Sequence, residues 1–241
     1  MDIKQTLKTL GLPWMADNMD AIIAAAGKST HSEVLEKLLD GEIEAKRIRS
    51  ALRRIRDSRV SVPNSLAEFN WAWPKKIDQE LVKDLYRLAF VKEKANVVFM
   101  GGVGLGKTRL ASGLIVEACH RNLPSLFTTA VEMLNNLQAA AAVNGLARAI
   151  RRYVAPVTLC IDELGFLPID RQGADLFFQV ISARHERGST LITTNRSYRE
   201  WATTFANDAA LTSAILDRLT EKCHTVVIEG KSYRMRNKTE K

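Results

Sequence analysis

At 241 residues, with 46% hydrophobic and 26% charged side chains, the chain can hold one α/β domain plus a smaller appendage and is too apolar to be disordered throughout. Its formal charge of +8 suggests an anionic partner such as nucleic acid, with plain solubility as the alternative. Cys119, Cys160 and Cys223 lie far apart without CxxC spacing, which argues against a zinc site or a disulfide framework, and no run approaches the roughly 18 apolar residues of a membrane span. With no apolar signal core at the amino terminus, a soluble cytoplasmic protein with no membrane partner is expected.

Up to Pro63 the pattern is helical. Ile3, Leu7 and Leu10 fall on one face, followed by Met19, Ile22 and Ile23, then by Val34, Leu35, Leu38 and Leu39. Thr30 and Glu33 have capping-box spacing ahead of "VLEKLL", which sets a helix start. In "EIEAKRIRSALRRIRDSR", Ile48, Ala51, Leu52 and Ile55 share one face while Lys46, Arg49, Arg53 and Arg56 share another. The first face is expected to pack. The second is a basic stripe, either an ordinary solvated face or a surface for the phosphates of double-stranded DNA. Residues 46–59 hold seven cations against one anion, Asp57, an imbalance that favours DNA. Residues 1–62 thus read as a small all-α domain for oligomerisation or for binding DNA or a partner. The proline-interrupted stretch 63–75 reads as a linker.

From Asn96 onward short apolar runs alternate with helical patterns, the signature of a parallel sheet with crossover helices. Strands are expected at "NVVFM", "PSLFTT", "VTLCID", "TLITTN" and "HTVVIE", which makes residues 76–241 a five-stranded α/β domain. Between the second and third strands, "LQAAAAVNGLARAIRRY" reads as one long alanine-rich helix.

The first strand runs into "GGVGLGKTRLA". Gly101, Gly106, Lys107 and Thr108 satisfy G-x-x-x-x-G-K-[ST], placed where a strand ends and a helix opens. Glycines let successive N–H groups turn inward on an anion, and the helix N-terminus adds its dipole. Gly101, Gly102, Val103, Gly104, Leu105, Gly106, Lys107, Thr108 and Arg109 are therefore the expected nucleotide-binding residues, with Lys107 on the phosphates and Thr108 on Mg2+. "VTLCIDEL" supplies Asp162 as the second metal-side group, directly or through water. Glu163 follows as a base to activate the attacking water. Asn195, past the apolar run "TLITT", stands beyond a strand's carboxyl end, placed to hold the γ-phosphate or the water; an ordinary strand-end turn is the plainer alternative. No strand-cutting carboxylate triad is apparent.

Together "GGVGLGKTRLA", "LCIDELGFLPIDRQGADLFFQVISARHERGSTLITTN" and "AILDRLTEKCHTVVIEGKSYRMR" resemble the AAA+ ATPases of the IstB and DnaC group, transposition helpers of the IstB kind above all. The resemblance runs from about Leu66 to Arg236 and implies an AAA+ P-loop three-layer sandwich that lacks the usual C-terminal helical lid. It implies Walker B roles for Asp162 and Glu163, sensor 1 for Asn195, an arginine finger acting on a neighbouring subunit for Arg218, and sensor 2 for Arg234 on the tail. From spacing alone Arg218 reads as a surface helix residue beside Asp217. The implied function is ATP hydrolysis by a DNA-bound homo-oligomer, a ring or spiral, that recruits a separate IstA-type transposase. A DnaC-like helicase loader shares these motifs, and a nucleotide-gated DNA-binding scaffold with little turnover is the alternative from another class.

Overall fold

A computed structural model describes residues 2–60 and 66–238 and divides the chain into two compact units between Arg53 and Arg54. Residues 63–65 of the expected linker lie outside the described residues. Among those described, no helix is long and apolar enough to cross a membrane.

The first unit holds α1 (Ile3–Thr9), α2 (Pro13–Ala25) and most of α3 (His31–Asp57). Asp2 caps α1 by accepting from the Lys4 N–H, and Lys4–Asp20 and Lys8–Asp17 ion pairs join α1 to α2. The capping box at the start of α3 forms: the Glu33 N–H donates to Thr30 Oγ1 at 3.3 Å, and the Thr30 N–H donates to Glu33 Oε2 at 2.8 Å. Glu42 is buried. One of its oxygens accepts from the Met15 N–H at 2.9 Å, in the first turn of α2, and the other from Arg49 at 2.7 Å. The expected packing face of α3 is only partly buried. Ala51 is covered and Ile55 half-covered, whereas Ile48 and Leu52 stand exposed.

The second unit begins with α4 (Gln79–Leu85) and α5 (Ala89–Lys92), which lead into β1 (Asn96–Gly101) and α6 (Lys107–His120). Then come β2 (Ser125–Thr129), α7 (Ala130–Ala142), α8 (Leu146–Val154), β3 (Thr158–Leu164), α9 (Arg171–Arg184) and β4 (Ser189–Thr194). The short α10 (Trp201–Thr204), α11 (Ala209–Thr220) and β5 (Cys223–Ile228) follow, and the described residues end in a 3₁₀ segment, Tyr233–Lys238. All five strands expected from the sequence form, and they run parallel in the order β2-β3-β4-β1-β5.

Alternate residues of the central strands feed two cores. Val97, Phe99, Cys160 and Leu191 pack with α4, α5 and α6, while Val98, Leu159, Ile161 and Ile192 pack with α7, α9 and α11. Helices thus cover both faces, which is why the strands read as unbroken apolar runs. The result is the expected three-layer sandwich.

The long alanine-rich helix is a correction: it breaks between α7 and α8. Asn144 adopts a left-handed conformation, φ 54°, and the Gly145 N–H closes on the Ala140 carbonyl at 2.8 Å, a glycine-type helix stop that Asn-Gly favours. Arg184, at the end of α9, is fully buried and pairs with no carboxylate among the described residues. Its guanidinium donates to the carbonyls of Tyr153, Pro156 and Ser189 and to Thr190 Oγ1, joining the end of α8 to the start of β4. Burial pushes its pKa down to about 10.

Candidate nucleotide site

The strands deliver their chemistry at their carboxyl ends. β1 ends at Gly101, and the loop to Gly106 feeds directly into α6. Gly104 and Gly106 have φ of 75° and 90°, left-handed conformations that glycine adopts without penalty. Both are also crowded. A Cβ on Gly104 would come within 2.2 Å of Ser232 Oγ, and one on Gly106 within 2.7 Å of the Phe69 ring. The Lys107 ammonium folds back over the loop, donating to the carbonyls of Gly101 at 2.8 Å and Gly102 at 2.6 Å. Burial lowers its pKa; Asp162 opposes that shift and Arg234 adds to it.

β3 brings Asp162 and Glu163 to the same end of the sheet. Asp162 is buried, and its Oδ1 accepts from Thr108 Oγ1 at 2.9 Å and from Thr193 Oγ1. A hydroxyl and a carboxylate converging at the start of a helix suit the oxygen donor set of a magnesium ion carried by a nucleotide. Glu163 sits in a bulge, where the β3–β4 register shifts between Ile161 and Leu164, with φ 60°. Its N–H donates to Thr193 Oγ1 at 3.0 Å, and its carboxylate is exposed, with no hydrogen bond or ion pair among the described residues. The bulge turns the second carboxylate away from the direction an unbroken strand would give it.

Asn195 follows β4 directly and is exposed. The pairing of Met100 with Thr194 sets it level with the start of the phosphate loop. Its polar neighbours find partners: Thr193 bridges Asp162 and Glu163, and Thr194 Oγ1 accepts from the Arg196 N–H at 3.0 Å.

A cavity of about 330 Å³ adjoins the loop, lined by Gly104–Arg109, by Phe69, Trp73 and Pro74, and by Tyr233 and Arg234. Residues 66–74, within the stretch read as a linker, therefore wall the nucleotide site. Arg109 Nη2 donates to Glu68 at 3.0 Å, while its Nε is buried without a partner among the described residues. Arg234 reaches the site from the tail. Phe69, Trp73 and Tyr233 went unsuspected in the sequence, where nothing signals that residues before β1 and after β5 meet.

Two groups of expected residues lie elsewhere. Arg218, on α11, donates to the Ala214 carbonyl at 3.0 Å and stacks on Phe178 with its guanidinium 4.8 Å from the ring centre; among the described residues it forms no ion pair with Asp217. The neighbouring Leu219 carbonyl accepts from the Asn96 side chain at 3.0 Å, and Asn96 opens β1. Arg218 thus belongs to the amino ends of the strands, a strand length of about 16 Å from this chain's phosphate loop at about 3.3 Å per residue. Of the basic stripe, Lys46 and Arg53 are exposed without ion pairs among the described residues, and Arg56 lies 3.4 Å from Asp57. Arg49 corrects the expectation of an open cation, since it is held by the buried Glu42.

Comparison with known proteins agrees with this geometry. The sequence profile of the family described as IstB-like ATP binding protein matches residues 5–241. A protein of insertion sequence IS5376 from Geobacillus stearothermophilus, named for ATP binding, is 34% identical over 95% of this chain and 92% of its own length. One of insertion sequence IS21 from Pseudomonas aeruginosa is 30% identical over 98% and 90%. Among solved structures, the DnaC helicase loader superposes with TM-score 0.55 at 21% identity over 73% of this chain and 99% of its own, and DnaI with 0.56 at 21% over 70% and 89%. With a phosphate loop, an Asp-Glu strand end and this sheet order, the chain belongs to the IstB-like ATP-binding protein family and has the AAA+ fold.

Proposed function

We propose that the chain is an ATP-hydrolysing helper of an insertion sequence, which assembles with ATP on double-stranded DNA and recruits a separately encoded transposase of the IstA type. The observation that carries the hydrolytic half is the Thr108–Asp162–Thr193 linkage beside an exposed Glu163 carboxylate that makes no hydrogen bond or ion pair among the described residues. A mere nucleotide holder has no use for a second carboxylate turned out of the strand. The relatives that match nearly the whole chain are named for insertion sequences, whereas the likeness to DnaC and DnaI, at 21% identity, speaks for the fold alone. That contrast favours the transposition helper over the helicase loader.

In this reading the loop amides and Lys107 hold the phosphates, and Lys107 gives up its two carbonyl partners to do so. Magnesium bound with ATP would be held by Thr108 and Asp162 and would offset charge on the phosphate oxygens. Glu163 takes a proton from the water that attacks the γ-phosphate, and Asn195 orients that water. Arg218 supplies positive charge to a neighbouring subunit's site, and Arg234 approaches this chain's own phosphates from the tail. Residues 1–62, with the basic stripe, serve assembly or DNA.

The test is Glu163→Gln, which keeps the metal-side and phosphate contacts and removes the base. ATP binding should persist while phosphate release stops, and DNA-bound assemblies should accumulate. Turnover at the parental rate would remove Glu163 from the reaction. Failure of the neighbouring transposase to associate with the ATP- and DNA-bound protein would remove the helper role.

A further inference from the structure

The stretch before β1 and the tail after β5 form a collar around the phosphate loop. Lys76 and Glu229 exchange both backbone hydrogen bonds, at 3.1 and 3.0 Å, in an antiparallel bridge. Beyond it the Trp73 indole N–H donates to the Lys231 carbonyl at 2.9 Å, and the Trp73 and Tyr233 rings meet edge to face at 5.2 Å. The tail then touches the loop itself. The Tyr233 N–H donates to the Gly104 carbonyl at 2.9 Å, and Ser232 lies so close over Gly104 that no side chain fits there.

The Gly104 carbonyl and the Leu105 N–H belong to one planar trans peptide and point in opposite directions. A donor that fixes the carbonyl from the tail side therefore fixes the N–H on the other side. A phosphate nest works only when successive N–H groups converge, and glycine at both Gly104 and Gly106 leaves the loop unusually free to turn its peptides over. Something must hold the peptide in the binding orientation.

We propose that the tail segment 231–234 is a positioning element of the phosphate loop: through the Tyr233 N–H, buttressed by Trp73, it locks the Gly104–Leu105 peptide in the orientation that presents the Leu105 N–H to a triphosphate. The inference rests on the ATP reading above and adds a part to it. It also gives Gly104 a second requirement besides its φ, because the tail must approach without a Cβ between. The tail thereby does more than carry Arg234 to the site. It lowers the cost of binding by ordering the loop beforehand.

The experiment compares binding of ATP and of inorganic tripolyphosphate, each with magnesium, by the full-length protein and its variants. Tripolyphosphate has no base or ribose, so it reports the loop alone. Tyr233→Pro removes the N–H and should weaken both ligands by about tenfold or more, whereas Tyr233→Phe, which keeps N–H and ring, should bind both several-fold more tightly than Tyr233→Pro does. Trp73→Phe keeps a ring but loses the donor to Lys231, and should weaken both in the same proportion though by less. It decides the matter should Tyr233→Pro not fold. Loss of ATP binding with tripolyphosphate unchanged would make the collar a base pocket only and overturn the proposal, as would unchanged binding of both. Wild-type protein that binds tripolyphosphate but not ATP would instead overturn the ATP reading.

Discussion

The Thr193 hydroxyl donates to the Asp162 carboxylate and in the same geometry accepts from the Glu163 N–H at 3.0 Å. One side chain on β4 thus holds the Asp162 carboxylate and pins the bulge that turns Glu163. Thr193→Val preserves shape and deletes both bonds. It should leave ATP affinity within a few-fold and lower turnover by about 10- to 100-fold, the usual cost of losing an outer hydrogen-bond partner. Steady-state hydrolysis beside a binding isotherm reads both, and unchanged turnover would show that the bulge holds Glu163 without help.

The parts of this site that are contiguous along the chain are legible from residue order alone. A P-loop is a local strand–glycine–helix device, and the five strands announce themselves because both faces of the sheet are buried. What residue patterns do not reveal depends on distant partners. The Phe69 and Trp73 wall and the Tyr233 strap form only when the segments before β1 and after β5 meet. Arg184 looks like any cation in "SARHERG", yet neutral carbonyls bury it. The alanine-rich helix breaks because Asn144 and Gly145 outweigh the helix formers around them. Arg49 shows only a face of a helix, not the carboxylate seven residues earlier that claims it.

Glu42 makes the stability of the first unit depend on acid. Burial pushes its carboxyl up, but the Arg49 hydrogen bond and the Met15 N–H prevail, and its pKa in the folded protein lies below the ordinary value. A lowered folded pKa means stability that is fully present above the unfolded pKa, about 4.3, and is lost as pH falls through the folded value. The parent's melting temperature should therefore fall below about pH 4.5 relative to that of Glu42→Gln, whose stability lacks this slope. Parallel pH dependence in the two proteins would count against the assignment.

The basic stripe now divides. Neutralising Lys46 and Arg53, which are exposed and free of ion pairs among the described residues, should weaken binding to duplexes of any sequence alike. It should also flatten the salt dependence, by about 0.9 in slope for each phosphate that the protein no longer neutralises. Arg49→Gln should act chiefly on stability, because it strands a buried carboxylate. An unchanged salt slope in a folded Lys46→Ala, Arg53→Ala double variant would return these cations to an ordinary solvated face.

Arg218 lies too far from its own phosphate loop to serve it, and its guanidinium is parked on Phe178 and the Ala214 carbonyl. If it acts, it acts on a neighbour. Arg218→Ala should then bind ATP normally yet hydrolyse it slowly, by a factor approaching the ~10³ to 10⁵ typical of arginine fingers where the finger limits the rate. Phe178→Leu, which removes the aromatic face but leaves the arginine, should cost less, and Phe178→Tyr should recover most of that deficit. Mixing separates a trans role from a structural one. Lys107→Ala subunits bind nucleotide poorly but keep Arg218, so combining them with Arg218→Ala subunits restores complete sites at half of the mixed interfaces. Hydrolysis above that of either variant alone is the expected result. No recovery despite demonstrated subunit exchange would count against the finger, and full activity of Arg218→Ala alone would remove it from the reaction.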